Sequence, residues 1–184
     1  MQYKVIDAPD VEPISLSEAK TYLKVDHNDE DTLIATLIKA AREYIESHIG
    51  RAMITQTIEA VYDDWCIILP LANAQSVTSV KYYDNNGNQQ TWDAANYTLE
   101  AKGEPNSIVR NVDVTYPVLS LPKRDRVEVI YVAGFGDDAD SVPAELKIMM
   151  YKVLSEFYEH REDRPWEKLT ASRYMIRKNA QWLF

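Results

Sequence analysis

At 184 residues the chain has the length of one domain, or of one domain with an arm, and its 46% hydrophobic and 27% charged content is ordinary for a globular protein. A net charge of −9 argues against wrapping nucleic acid with the whole surface, because affinity for DNA comes mainly from Lys and Arg neutralising phosphates. The single cysteine excludes an internal disulfide framework, no apolar run approaches the ~18–20 residues that cross a bilayer, and no secretory leader or membrane partner is expected.

In chain order, the first ten or so residues lack periodicity and read as an extended lead-in. Ser15-Leu16-Ser17-Glu18 has the form of a capping box, the hydroxyl taking an orphan amide while the carboxylate reaches back. It predicts a helix over 15–24 that buries Leu16, Ala19 and Leu23. A longer helix is predicted over 29–49, with Asn28 or Asp26 as cap and Asp29, Glu30 and Asp31 beside its positive end. Leu33, Ile34, Leu37, Ile38, Ala41, Ile45 and Ile49 recur at three- and four-residue steps, and Gly50 is the expected stop. Lys39, Arg42, Glu43 and Glu46 fall on the other side and read as a solvated face.

From 53 to 133 the pattern changes to short β-rich runs bounded by Asp, Asn, Gly or Pro: ITQTIEAVY, CIILPL, VTSVKYY, YTLEA, SIV and VEVIYV. Asn86-Gly87 marks a tight hairpin turn. Cys66, inside CIILPL, reads as a small buried hydrophobe. A third helix follows over 143–159, with Ser141 as cap and Pro143 in its first turn. Leu146, Met149 or Met150, Val153 and Phe157 line its buried side. The fold class is therefore α+β: a helical bundle of two N-terminal helices and a C-terminal helix, with a β-rich insertion in the middle and a C-terminal arm. The expected division is a body, 1–160, and an arm, 161–184.

The stretch YVAGFGDDADSVPAEL raises the question of a metal or phosphate loop. A calcium loop of the EF-hand type needs a central glycine and a closing glutamate, and no glycine follows Asp137 at the required place. A phosphate loop puts its glycines at the helix start, with Lys and Ser or Thr behind them. Here Asp137, Asp138 and Asp140 would repel phosphate, so the stretch reads as punctuation between strand and helix. His27, His48 and His160 do not assemble a site, and Glu156 with His160 supplies two ligands at most. No catalytic residue, metal site or cofactor is assigned, and the chain is not read as an enzyme.

The arm is different in kind. Residues 161–184 carry six basic and three acidic side chains, a net +3 that leaves −12 on residues 1–160. Its end, RYMIRKNAQWLF, mixes cations with large apolar groups. It reads either as a helix folded back on its own body or as a docking element for a partner, since Trp and Arg are favoured at such contacts. The candidate docking residues are Trp166, Leu169, Arg173, Ile176, Arg177, Lys178, Trp182, Leu183 and Phe184.

PISLSEAKTYLKVDHNDEDTLIATLIKAAREYIESHIGRAMITQT resembles the opening of the head–tail connector proteins of long-tailed bacteriophages and prophages, in their longer, β-inserted branch. The likeness continues through SVTSVKY, IYVAGFG and VPAELK and covers roughly Pro13 to His160. It implies a non-enzymatic virion protein at the head–tail interface, assembled in the host cytoplasm. Such proteins form a ring of about twelve copies under the portal, closed by a heterologous contact between two different patches of each subunit. The implied partners are further copies of the chain, the portal protein and the stopper or tail-completion protein. DNA would pass through the lumen without specific binding. In the family the C-terminal segment tends to engage the portal, and the arm from Trp166 is placed to do so. The alternative is a small DNA-binding or self-associating module that uses the basic arm.

Overall fold

The computed structural model describes residues 2–103, 105–120 and 124–160. The elements run β1 (Gln2–Asp7), α1 (Leu16–Leu23), α2 (Asp31–Ile49), β2 (Gln56–Tyr62), β3 (Ile67–Ile68), β4 (Ala74–Tyr83), β5 (Gln89–Trp92), β6 (Tyr97–Glu100), β7 (Ser107–Arg110), β8 (Val127–Ala133) and α3 (Ala144–Glu159). The class is α+β. The described chain forms two compact units, a β unit of residues 2–8 and 55–134 and a helical unit of residues 9–54 and 135–160.

The β unit holds a five-stranded sheet in the order β1-β2-β8-β4-β5 and a three-stranded sheet in the order β3-β7-β6, with every pairing antiparallel. β2 and β8 alternate buried and half-buried residues along their whole length, the signature of strands with one face on a core. Tyr131 opposite Ile58 lies at the centre of that face, both fully buried. The Tyr131 hydroxyl accepts from Leu71 N at 3.1 Å and donates to Leu71 O at 3.3 Å, so it is satisfied despite its burial. The lead-in turns out to be β1, paired with β2 so that Val5 faces Ile58. All six of its residues are exposed, which is why no alternation of apolar and polar residues announces it.

The β4–β5 hairpin closes through a five-residue loop rather than a two-residue turn. Asp84 O accepts from Gly87 N at 2.8 Å, and the Asp84 carboxylate accepts from the amides of Asn86 (2.9 Å) and Asn88 (3.0 Å). Gly87 takes φ +81° and Asn86 keeps a negative φ, so the glycine alone carries the left-handed position. Cys66 is exposed, contrary to the buried position expected. The β3 strand is only two residues long, so its preceding residue is not carried into the core.

In the helical unit, Ser15 and Glu18 form the capping box: Glu18 N donates to Ser15 Oγ at 3.2 Å and Ser15 N to Glu18 Oε2 at 2.7 Å. These bonds hold the Glu18 carboxyl below its ordinary range. Helix α2 starts at Asp31 with no side-chain cap, so neither Asn28 nor Asp26 caps it. Asn28 instead accepts, with Asp31, from the Lys20 ammonium, both at 2.6 Å, tying α1 to the start of α2. The buried stripe of α2 is Ile34, Ile38, Ala41, Ile45 and Ile49, and it meets Leu146, Met149, Met150, Val153 and Leu154 of α3. Leu33 sits off this stripe and stays exposed, and Leu37 is half-buried at its margin. The stop at Gly50, φ +67°, is as expected.

Candidate interaction surfaces

The docking residues assigned from sequence, Trp166, Leu169, Arg173, Ile176, Arg177, Lys178, Trp182, Leu183 and Phe184, lie outside the described residues. The aspartate-rich stretch lies inside them. Ala139–Ser141 makes one turn of 3-10 helix, and α3 begins only at Ala144 behind Pro143, so Ser141 caps no α-helix. What Ser141 does is pack on Gly136: a Cβ added there would stand 2.4 Å from Ser141 Oγ and 2.7 Å from its Cβ. That close approach is a sufficient reason for a glycine. Asp140 faces Lys147 at 3.7 Å. Among the described residues, no three His, Cys, Asp or Glu side chains are grouped so as to hold a metal ion.

The supposedly solvated face of α2 contains the most buried charges of the helical unit. Arg42 is 3% exposed and Glu46 4%. Arg42 Nη1 donates to Glu46 Oε2 at 2.8 Å and Arg42 Nε to Glu12 Oε2 at 2.8 Å, while Met53 N donates to Glu46 Oε1 at 2.7 Å. One guanidinium thus ties the segment before α1 to α2, and one carboxylate ties α2 to the chain beyond Gly50. Burial pushes the guanidinium's pKa down, but Glu12 and Glu46 outweigh it and hold Arg42 charged, above its ordinary value. Only the spacing of Arg42 and Glu46 by four hinted at a pair; Glu12, thirty residues earlier, left no sign in the sequence.

An open groove of about 880 Å³ crosses the same unit. Its apolar floor is made by Val11, Ile14, Leu16 and Ile38, and its charged lining is wholly acidic: Glu12, Glu18, Asp138 and Asp140. Asp138 and Asp140, two of the three aspartates read as punctuation, are therefore also part of the lining of this groove.

The β unit carries a second surface. Trp65 stacks on Tyr116 (5.3 Å between centroids, 19° between planes), and Trp92 lies 4.7 Å from Trp65 and 5.6 Å from Tyr116. Trp65 Nε1 donates to Pro117 O at 2.9 Å. The Arg110 guanidinium lies 5.6 Å over the Tyr116 ring and donates to Val114 O at 2.7 Å. Asn111 adds two anchors to the turn before β6, N to Asn96 O at 2.9 Å and Nδ2 to Ala95 O at 2.8 Å. These contacts brace the loop 110–118, whose Val112 and Val118 are 86% and 69% exposed.

The fold is similar to that of a chain in the neck of an empty gene transfer agent (GTA) particle computed with C6 symmetry, with a TM-score of 0.81 and 20% identity over 100% of this chain and 97% of the other. Chains of the native GTA virion (TM-score 0.80) and of the native GTA neck computed with C12 symmetry (TM-score 0.79) match at the same identity and coverage. At 20% identity this likeness is one of fold. The sequence itself supplies the family: residues 13–105, just over half of the chain, match the phage gp6-like head-tail connector proteins, and the chain belongs to that family. No curated protein sequence matches it.

Proposed function

We propose that the chain is a non-enzymatic component of the virion neck that forms a ring of about twelve copies between the portal and the stopper or tail-completion protein, extending the DNA channel. The observation that carries this reading is family membership over residues 13–105, together with a fold shared with chains of a particle neck of C12 symmetry. A ring needs two different patches on each subunit that fit one another. The −12 charge on residues 1–160 suits a channel through which DNA slides without adhering. The division into a body, 1–160, and an arm, 161–184, assigns portal docking to the arm, whose cations pair and steer while Trp166, Trp182 and Phe184 anchor.

Native mass spectrometry of the chain, alone and with a portal ring, tests the reading. The expected result is a closed ring of about twelve copies, either spontaneous or formed on the portal. A chain that stays monomeric in both conditions overturns it. Deleting residues 166–184 should abolish portal binding while the circular dichroism of the body stays unchanged. Undiminished portal affinity in the truncated chain would remove the arm from the interface. Salt-dependent retention of the full chain on DNA would favour the DNA-binding alternative instead.

A further inference from the structure

We propose that Asn86, at the tip of the β4–β5 hairpin, is a site of spontaneous deamidation, and that the loop anchored by Asp84 restrains the reaction in the folded chain. Asn86-Gly87 is the only Asn-Gly pair in the sequence. The pair matters because the attacking group is the backbone nitrogen of the following residue, and a glycine there puts no Cβ in the way. Gly87 stands in open space, since a Cβ built on it would meet nothing within 4 Å. Asn86 is exposed, and among the described residues its carboxamide has no hydrogen-bond partner. Asn106 is the contrast: it is buried, its side chain bonds Ala74 N, Ala101 O and Gly103 O, and Ser107 follows it.

The step balances with water as the sole co-reactant. The Gly87 amide loses its proton, and its nitrogen attacks Asn86 Cγ. The bond from Cγ to the side-chain nitrogen breaks, ammonia leaves, and a cyclic succinimide closes. Water then opens the ring at either carbonyl, leaving aspartate or isoaspartate. The folded loop works against the first event. The Gly87 proton is donated to Asp84 O at 2.8 Å, and the Asp84 carboxylate fixes the amides of Asn86 (2.9 Å) and Asn88 (3.0 Å), so the nitrogen cannot turn toward the side chain while the loop holds. Gln90 Nε2 donates to the other Asp84 oxygen at 3.1 Å. These bonds, that from the Asn88 amide first, hold the Asp84 carboxyl below its ordinary range. All of them are local and close to solvent, so the loop opens far more often than the chain unfolds, and the reaction proceeds from the open loop. The product sets a second negative charge beside Asp84, and the isoaspartate form adds its β-carbon to the loop backbone.

The test incubates the full chain in mildly alkaline buffer, folded and in urea, and follows Asn86 by peptide mass spectrometry and enzymatic detection of isoaspartate. The expected result is conversion at Asn86 before any other asparagine, at least about tenfold slower in the folded chain than in urea. Asp84→Ala removes the side-chain anchors of the Asn86 and Asn88 amides and should raise the folded rate at least about fivefold, the scale of two exposed hydrogen bonds. Unchanged circular dichroism of that variant separates a released loop from an unfolded chain. Gly87→Ala, read in urea where its backbone strain is irrelevant, should slow conversion at least about tenfold. If Asp84→Ala fails to fold, the wild-type comparison decides the restraint and Gly87→Ala decides the site. Equal rates in the folded chain and in urea, an unmoved rate in a folded Asp84→Ala variant, an unmoved rate in Gly87→Ala, or earlier conversion at another asparagine overturns the inference. None of these outcomes bears on ring formation.

Discussion

The helical unit buries charge, whereas the β unit buries aromatic rings. In the first, Arg42, Glu46 and Glu12 are joined by bonds of 2.8 Å around a guanidinium 3% exposed, and the surrounding core is aliphatic. In the second, Trp65, Trp92 and Tyr116 cluster beside a loop, and the polar partners are backbone carbonyls. The difference teaches what each device is good for. A buried ion network is strict about geometry, because a charge stripped of its partner in a dry site is heavily penalised. An aromatic cluster tolerates half-exposure, because its contribution grows with contact area, and it can therefore hold a surface loop rigid without hiding it.

The largest expected effect comes from breaking the network. Arg42→Met strips the buried Glu46 carboxylate of its counter-charge and should cost about 3–5 kcal/mol in chemical denaturation. Adding Glu46→Gln, which keeps an acceptor for Met53 N, should recover part of it. A loss below ~1 kcal/mol would mean that water reaches the network and that the two units are stabilised alike. A middle effect is expected from Trp65→Ala: about 2 kcal/mol, less than the 3–5 of a fully buried tryptophan, because Trp65 is half-buried. Its sharper signature is faster amide exchange at Asn111 and Val114, whose own hydrogen bonds depend on the loop's shape. Unchanged exchange there would show that the aromatic cluster does not brace the loop.

The smallest effect concerns the capping box. Ser15→Ala should cost about 1 kcal/mol. Its pH dependence has a definite sign. The folded pKa of Glu18 lies below its unfolded value, so the cap's contribution is full above the ordinary carboxylate range and is lost as pH falls through the folded pKa. Titrating the wild-type and Ser15→Ala chains from neutral to acid should show their stabilities converging. A gap that widens on acidification would contradict the assignment of the cap.

Much of the helical unit was legible from local pattern. The capping box, the stripe through Ile34, Ile38, Ala41, Ile45 and Ile49, and the stop at Gly50 are each set by residues within one or two turns of one another. The strands β2 and β8 announced themselves as the β-rich runs ITQTIEAVY and VEVIYV, and the structure adds their alternation on a half-buried face. Where the reading failed, the missing information was distant. The face of α2 bearing Arg42 read as solvated because charged residues usually are exposed, and only Glu12 and the backbone at Met53 make its burial tolerable. β1 was missed as a strand because its pairing with β2 crosses more than fifty residues, and its exposed faces leave no alternation. Leu33 was placed in the core because it fits a three-four spacing as well as Ile34 does, and one step around the helix decides between core and solvent.

The chain's own residues therefore determined the α+β class, the capping box that starts α1, the stop of α2 at Gly50 and the resemblance that its family membership bears out, because each depends on short-range spacing or on ordered motifs. Tertiary structure alone decided which charges are buried, that Ser141 rather than a ligand explains Gly136, and that four scattered carboxylates line one apolar groove while two valines stand on a braced loop. Those are facts about pairs of residues far apart in sequence. Their closeness is settled by how the apolar faces pack, and no local pattern records it.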